Sequence, residues 1–210
     1  MAQLPSSFVE YTHQLMGEER FKRYLQSFEE DAPVSIRLNP KKASPAPSNG
    51  RGVQVVNGER VPWCQEGYYL PKRPNFTMDP LFHAGCYYVQ EAASMFLDEV
   101  LRQIISPLLL EGGQRAALDL CAAPGGKSTL LRAVLPEDCV LYSNEPVRNR
   151  ANILLENVAK WGYDNHFVTN CYPKDYRKSK MKFDLILCDV PCSGEGMFRK
   201  DEATDRKSVV

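Results

Sequence analysis

The second half of the chain is built from short apolar runs that alternate with segments of helical period. This alternation limits the possible folds more than any other feature. The apolar runs lie at 116–121, 139–145, 166–170 and 183–190, and amphipathic helical spacing separates the first three. Strands that alternate with helices predict a parallel, doubly wound α/β sheet. Ligands bind such sheets beyond the carboxyl ends of the strands, so functional residues are expected there.

The first 75 residues have a different pattern, which predicts a small α+β domain. Residues 6–30 have helical period with a break at Gly17. A short strand is expected at 34–40, and Asn57-Gly58 between β-rich runs is typical of a type I′ hairpin turn. We therefore predict an N-terminal α+β domain over 1–75, followed by the sheet domain over 76–204.

Three finer expectations concern the second domain. A helix is predicted from Val89 to about residue 104, ahead of the first parallel strand. Another should have Pro146 at its first position and end just before Gly162. The run at 183–190 is almost wholly apolar and is expected to be the most buried strand.

Charge, cysteine content and hydropathy exclude several classes of protein. Lys and Arg number 26 and so do Asp and Glu, so any RNA-binding surface must be a local patch. Such a patch is suggested at 171–182, with five basic residues, one acidic residue and two tyrosines, although a solvated loop explains it equally well. The seven cysteines include no CxxC pair, which argues against a metal site. No signal peptide or apolar run of membrane-spanning length is found, which predicts a cytoplasmic protein without membrane contact.

The first strand ends in DLCAAPGGKS (119–128), a glycine turn that opens a helix. Gly125 and Gly126 permit a tight turn and a close approach of the backbone to a ligand. A phosphate-binding P-loop would need glycine where Cys121 stands, and the dinucleotide fingerprint is also absent. A loop that binds S-adenosyl-L-methionine remains, with a P-loop NTPase as the less favoured alternative.

The second and fourth strands also end in candidate functional residues. Glu145 lies about 20 residues beyond the glycine turn, where an acid can accept hydrogen bonds from ribose hydroxyls. Its alternative role is to cap the next helix. Asp189 and Cys192 follow the last apolar run in DVPCSGEG; they could be a turn residue and a buried filler, but their place at a strand end favours function.

Together these motifs resemble the NOP/Sun family of RNA 5-methylcytosine methyltransferases. The chain is most similar to the RsmF-type bacterial enzymes that modify small-subunit ribosomal RNA. The resemblance rests on DLCAAPGGKS, on DVPCSGEGMFRKD, and on SIRLNP and HAGCYYVQEAASM in the N-terminal part. It implies a Rossmann-like class I methyltransferase fold with S-adenosyl-L-methionine as cofactor and RNA, namely rRNA, as partner.

The resemblance also implies roles for individual residues. The stretch Cys121, Ala122, Ala123, Pro124, Gly125, Gly126 and Lys127 would wrap the methionine and ribose parts of the cofactor. Glu145 would hold the ribose hydroxyls with Arg150 nearby, and Asp189 would lie between cofactor and base. Gln90 and Glu91 would lie beside the active site. The family often has a carboxylate after the third strand for the adenine amine; here Tyr172 stands there, and Asn170 could substitute as an acceptor.

Methylation at carbon 5 of cytosine requires a thiol that first adds to carbon 6. The residues alone would make Cys192 that nucleophile. The resemblance instead places the nucleophile in a later Thr-Cys-Ser/Thr segment and gives Cys192 a role in product release. No such segment occurs in the chain.

The last part of the chain carries a separate set of expectations. We count four parallel strands where the fold has about seven, and residues 205–210 look like a non-native tail. We therefore expect a fragment without methyl-transfer activity, and an exposed, apolar edge on its last strand. A non-catalytic module that binds RNA or the ribosome is the other alternative.

Overall fold

The computed structural model describes residues 4–43, 58–108 and 115–190. The chain divides into two compact units, one formed by Met1–Ala32 with Val190–Val210 and the other by Pro33–Asp189. No helix in the described part of the chain is long and apolar enough to span a membrane.

The first unit contains two consecutive helices, α1 (Ser6–Met16) and α2 (Glu18–Gln26). Gly17 separates them with a φ of 73°, a left-handed conformation that favours glycine. An edge-on contact between His13 and Phe21, with ring centroids 5.0 Å apart, joins the two helices. The predicted helical segment with a break at Gly17 is confirmed.

The second unit begins with an antiparallel sheet of the order β2-β3-β1-β4. Its strands are β1 (Val34–Leu38), β2 (Glu59–Arg60), β3 (Gly67–Leu70) and β4 (Tyr87–Val89). Ile36, Leu38, Tyr68 and Tyr87 form a buried cluster on this sheet. The predicted strand at 34–40 is confirmed, whereas the predicted hairpin turn lies partly outside the described residues. β4 pairs with β1 across the predicted boundary at residue 75, and that boundary stays a prediction.

Helical elements precede and follow β4. The 3₁₀ turn Phe76–Met78 and helix α3 (Pro80–His83) lie between β3 and β4, and the 3₁₀ turn Ala92–Met95 and helix α4 (Phe96–Leu108) lead from β4 towards the second sheet. The prediction of a helix from Val89 was wrong at its start. Val89 is the last residue of β4 and pairs with Ile36. Pairing with β1 therefore holds Val89 in an extended strand, although its spacing to the following apolar residues fits a helix.

A parallel sheet of the order β7-β6-β5-β8 completes the second unit. Its strands and helices follow one another as β5 (Arg115–Asp119), α5 (Gly126–Val134), β6 (Cys139–Asn144), α6 (Arg148–Trp161), β7 (His166–Thr169), α7 (Pro173–Ser179) and β8 (Leu185–Leu187). Ala117, Leu130, Leu131 and Leu141 form the centre of a buried cluster between this sheet and its helices. The predicted α/β class is confirmed.

Two expectations about this sheet require correction. β8 is not the most buried strand: Ile186 is 54% exposed, because β8 pairs only with β5 among the described strands. Among the described strands, β8 therefore forms the exposed, apolar edge that the sequence predicts. Pro146 does not occupy the first position of α6, which begins at Arg148. The helix starts later because the backbone N–H of Val147 donates to the Glu145 carboxylate. Gly162 ends α6 in the left-handed conformation, as predicted.

Candidate functional site

The carboxyl ends of β5 and β8 mark the point where the order of the parallel sheet reverses. From β5 the chain moves through β6 and β7 on one side, then returns to place β8 on the other side. Connections that leave neighbouring strands in opposite directions open a crevice, and this is where doubly wound sheets bind ligands. Asp119 ends β5, and Asp189 follows β8 by two residues.

The two glycines after β5 have separate structural roles. Gly125 has a φ of 113°, a left-handed conformation that places it just before α5. A Cβ on Gly126 would lie 3.3 Å from Tyr88 Cε1 and 3.6 Å from Gln90 Nε2. Gly125 therefore permits the turn, while Gly126 lets α5 begin close to the segment after β4.

A cavity of about 260 Å³ lies between this loop and the residues around the end of β4. One wall is formed by predicted site residues, namely 121–124, Gly126, Lys127 and Asp189. The other wall contains residues 88–91 and Ser94. The structure thus brings together the loop and the acid that follows β8, and it places Gln90 and Glu91 opposite them.

Lys127 and Asp189 form an ion pair within one wall of the cavity. Lys127 Nζ lies 2.6 Å from Asp189 Oδ2, and both side chains are partly exposed, at 32% and 53%. An ion pair this exposed adds at most about 1 kcal/mol to stability, so its main effect is to orient both groups at the cavity wall.

Asp119 lies fully buried beneath the loop. Its Oδ2 accepts a hydrogen bond of 2.6 Å from Ser128 Oγ, and its Oδ1 has no hydrogen-bond partner among the described residues. Burial raises the pKa of this carboxyl to about 6, and the nearby Asp189 charge adds to the rise. A buried carboxyl with an unpaired oxygen is costly, which suggests that the oxygen is retained for a functional contact.

Glu145 is the second buried acid, at the end of β6, and it is 1% exposed. Its Oε1 accepts a hydrogen bond of 3.0 Å from Val147 N, just before α6, but α6 itself has no side-chain cap, so the alternative capping role is not observed. Its Oε2 has no hydrogen-bond partner among the described residues, and Arg150 Nη2 lies 3.6 Å away. Arg150 also donates a 3.0 Å hydrogen bond to the carbonyl of Ala123. Gly125, Glu145 and Arg150 do not line the cavity, but Arg150 links the acid to the loop that does.

Asn170 and Tyr172 follow β7, in the segment that is predicted to contact adenine. Asn170 Nδ2 donates to the carbonyls of Glu145 and Pro146, at 2.6 and 2.9 Å. This use of the nitrogen leaves the Asn170 side-chain oxygen as the end of the amide that can accept from a ligand. Tyr172 is 60% exposed and lies just before α7.

The two cysteines predicted as site residues are Cys121 and Cys192. Cys192 lies outside the described residues, so its position stays a prediction. Cys121 lines the cavity, and burial, together with the charges of Glu145 and Asp119, raises the pKa of its thiol. A raised pKa disfavours the reactive thiolate, so Cys121 is suited to contact a ligand rather than to attack one.

Sequence reasoning missed two polar residues that hold the loop of the cavity, Arg37 and Asn157, and one that joins the end of β1 to the end of α6, Asn39. Arg37 on β1 donates to Gln90 Oε1 and to the carbonyl of Gly126. Asn157 on α6 donates a 2.7 Å hydrogen bond to the carbonyl of Pro124. Asn39 Nδ2 links the carbonyls of Gly85 and Trp161. An arginine between two apolar residues of a predicted strand was the one available signal, because arginines are rarely fully buried unless they are paired.

This fold and site define a class of protein, the methyltransferases with a Rossmann-like sheet. The chain is similar to the solved methyltransferase homolog protein from Pyrococcus horikoshii, with 27% identity and a TM-score of 0.69 over 94% of this chain and 67% of that one. This similarity extends through both sheets and confirms the predicted fold class.

The family is shown by matches that together span most of the chain. Residues 4–92 match the N-terminal domain of 16S rRNA methyltransferase RsmF, and residues 107–208 match the family 16S rRNA methyltransferase RsmB/F. The chain is 30% identical to ribosomal RNA small subunit methyltransferase F of Erwinia tasmaniensis and 32% identical to that of Pectobacterium carotovorum. The chain belongs to this RsmF-type branch of the Sun methyltransferase family.

The alignments cover nearly all of this chain but less than half of each relative. They cover 94% and 96% of this chain, but 41% and 42% of the Erwinia and Pectobacterium proteins. The chain thus spans about two fifths of the length of the curated relatives it matches. Membership of this family supports S-adenosyl-L-methionine as the cofactor, in agreement with the sequence prediction.

Proposed function

We propose that the chain binds S-adenosyl-L-methionine and forms the cofactor-binding part of an enzyme that methylates carbon 5 of cytosine in small-subunit rRNA. The observation that carries the proposal is the Glu145 oxygen that is buried without a hydrogen-bond partner among the described residues, and that Arg150 connects to the loop of the cavity. A carboxylate oxygen in this position fits a ligand with vicinal hydroxyls, because each hydroxyl can donate to it. The family supports a methyltransferase as the owner of this site.

The residues fit the parts of the cofactor as follows. The loop 121–127 and the facing residues 88–91 enclose the cavity in which the methionine part would lie. Glu145 would accept hydrogen bonds from the ribose hydroxyls, with Arg150 fixing the loop beside it. Asn170 Oδ1 would accept from the adenine amine, because its nitrogen is used by two backbone carbonyls.

The cofactor would supply an electrophilic methyl group on its sulfonium. Asp189 lines the same cavity, and its carboxylate would accept a hydrogen bond from the N4 amine of the target cytosine and so orient the ring. A thiolate that adds at carbon 6 would make carbon 5 nucleophilic. Carbon 5 would then take the methyl group from the sulfonium, with S-adenosylhomocysteine as the leaving group, and a base would remove the carbon-5 proton as the thiolate leaves. Lys127 holds the Asp189 carboxylate in place through their ion pair.

The thiol chemistry is the finer part of the proposal. Cys192 is proposed to assist product release, and a cysteine in a Thr-Cys-Ser/Thr segment is proposed as the nucleophile. Since the chain contains no such segment, we expect no label in rRNA when this chain alone is incubated with it and with methyl-labelled cofactor. Label above the level of heat-treated protein would contradict that expectation.

The RNA is proposed to contact the segment around α7, in the cytoplasm where ribosomes are assembled. Lys174, Arg177, Lys178 and Lys180 are exposed or partly exposed in a chain with no net charge. Exposed Lys and Arg side chains attract RNA phosphates in a salt-dependent manner. Replacing Lys174, Arg177 and Lys178 together by Gln should weaken rRNA binding and lower its dependence on salt concentration.

Calorimetric titration of this chain with S-adenosylhomocysteine tests the cofactor part of the proposal. We expect saturable binding of S-adenosylhomocysteine and none of Mg-ATP, because no glycine stands at the P-loop position that Cys121 occupies. Tight Mg-ATP binding that is lost in Lys127→Ala would support the NTPase alternative. Binding of rRNA without either small molecule would support the non-catalytic module.

A further inference from the structure

Arg37 is a fully buried arginine that joins the antiparallel sheet to the cofactor loop. Its exposed fraction is 1%. Its Nε donates to Gln90 Oε1 at 2.9 Å, and its Nη2 donates to the Gly126 carbonyl at 3.1 Å and to Thr129 Oγ1 at 2.6 Å. Its Cζ lies 4.7 Å from the ring centroid of Trp161. A buried guanidinium costs several kcal/mol of desolvation, so these contacts must offset a large penalty.

The hydrogen bond from Arg37 determines which way round the Gln90 amide lies. A guanidinium can only donate, so the atom that faces Arg37 Nε must be the Gln90 oxygen. The Gln90 backbone is held as well: its carbonyl accepts from Ser35 Oγ at 2.6 Å and its N–H donates to the Ser35 carbonyl at 3.2 Å. Both the position and the polarity of the Gln90 amide are therefore fixed by β1.

The other end of the Gln90 amide is a donor beside the cavity. Gln90 lines the cavity although it is only 8% exposed. Its Nε2 makes no hydrogen bond with any residue in the described ranges, and it lies 3.6 Å from where a Cβ on Gly126 would be. The amide N–H groups thus lie beside the loop at 121–127, where a ligand that accepts hydrogen bonds would complete them.

The charge around the cavity indicates which ligand group this is. Lys127, the cation of the opposite wall, is already paired with Asp189. Gln90 offers a neutral donor that faces the start of α5 on the opposite wall, and the backbone N–H groups at the start of a helix favour negative charge. A carboxylate fits this combination, and in the proposed cofactor the carboxylate belongs to the methionine part, which the loop is proposed to wrap.

We propose that Gln90 donates a hydrogen bond from Nε2 to the amino-acid carboxylate of the cofactor, and that Arg37 is the positioning residue that holds the amide in this orientation. The inference rests on the proposed function, because it presumes a cofactor of this class. The inference also makes the N-terminal antiparallel sheet part of the cofactor site, through the hydrogen bond between Arg37 and Gln90.

Two ligands separate this contact from the rest of the site. S-adenosylhomocysteine carries the amino-acid carboxylate, whereas 5′-methylthioadenosine keeps adenine and ribose but lacks it. Gln90→Glu keeps an acceptor for Arg37 and removes the donor, so it should fold and repel a carboxylate. We expect its affinity for S-adenosylhomocysteine to fall by about tenfold or more and its affinity for 5′-methylthioadenosine to stay at the wild-type value.

The same assay tests Arg37, with a control on α4. Arg37→Lys keeps the charge but loses the forked geometry, and it should lower the affinity for S-adenosylhomocysteine severalfold while leaving that for 5′-methylthioadenosine unchanged. A purely structural role would lower both affinities together. Gln103→Glu, at an exposed position of α4, should change neither. Circular dichroism would show whether each variant is folded; if Arg37→Lys is not, Gln90→Glu decides the question.

The outcomes distinguish this inference from the proposed function. If the folded wild-type chain binds neither ligand, the proposed function fails. If the wild type binds S-adenosylhomocysteine and Gln90→Glu binds it equally well, the carboxylate contact is overturned while the proposed function stands. An equal loss of both ligands in Gln90→Glu also overturns the contact, because it would show a general distortion of the site.

Discussion

Replacement of Glu145 by Gln should weaken cofactor binding and leave the unliganded chain at least as stable as before. Glu145 is 1% exposed, and its Oε2 has no hydrogen-bond partner among the described residues. A buried polar atom without a partner costs about 1–3 kcal/mol, and Arg150 at 3.6 Å offsets only part of that cost. The amide oxygen introduced by Glu145→Gln can still accept from Val147 N, so the start of α6 should remain intact.

The magnitude of the binding effect follows from the loss of charge. Hydrogen bonds to a charged group contribute about 1.5–3 kcal/mol, and those between neutral groups about 0.5–1.5. For ribose hydroxyls that donate to Glu145, the substitution should cost about 1.5–2.5 kcal/mol in total, which corresponds to a loss of roughly 10- to 70-fold in affinity.

Calorimetry with S-adenosylhomocysteine would measure the affinity, and thermal unfolding of the unliganded chain would measure the stability. Glu156→Gln is the matched control, because Glu156 is exposed on α6, the helix that follows Glu145; it should change neither quantity. Unchanged affinity in Glu145→Gln would refute the ribose assignment. A large fall in the unliganded melting temperature would refute the claim that the unpaired oxygen destabilises the fold.

Three further predictions concern buried ionisable groups. Burial lowers the pKa of His166 to about 3 in the folded chain. As the pH falls below about 6.5, the ordinary pKa of histidine, only the unfolded chain is protonated at this side chain, so the free energy of unfolding measured in urea should fall by about 2 kcal/mol from pH 7 to pH 5. His166→Gln should lack this fall, and equal pH dependence in both proteins would contradict the prediction. The raised pKa of Asp119 has the opposite effect on stability: the carboxyl stabilises the fold below about pH 4, and this stabilisation is lost as the pH rises through 6. The free energy of unfolding of Asp119→Asn, relative to that of the wild type, should therefore rise by up to about 3 kcal/mol between pH 4 and pH 7. A difference in stability that does not change with pH would argue against the prediction. Arg132 is 1% exposed and donates to backbone carbonyls between the end of α5 and the first residue of β6. Arg132→Met should therefore lower the free energy of unfolding by about 3 kcal/mol, whereas the exposed control Arg148→Met should change it by less than about 0.5 kcal/mol. Similar small effects in both variants would show that the buried arginine is dispensable.

The parallel sheet could be predicted because its signals are local. Apolar runs, a glycine turn after β5 and Gly162 at the end of α6 are readable from neighbouring residues. The same locality explains the placing of Glu145 and Asp189 at strand ends, where the structure finds them.

The parts that could not be predicted depend on contacts between distant segments. Val89 was assigned to a helix because its pairing with Ile36 is invisible to spacing alone. The burial of β8 was overestimated because composition does not reveal that, among the described strands, it pairs on one side only. Arg37 was missed because its partners, Gln90 and Gly126, are respectively 53 and 89 residues away.

Hydrogen exchange of this chain, measured with and without S-adenosylhomocysteine, would locate the bound ligand. The ligand should slow exchange in three segments: the loop at 120–127, the opposite wall at 88–91 and the turn at 144–150. Protection confined to other segments, or binding without protection at 120–127, would contradict the assignment of the cofactor to this site.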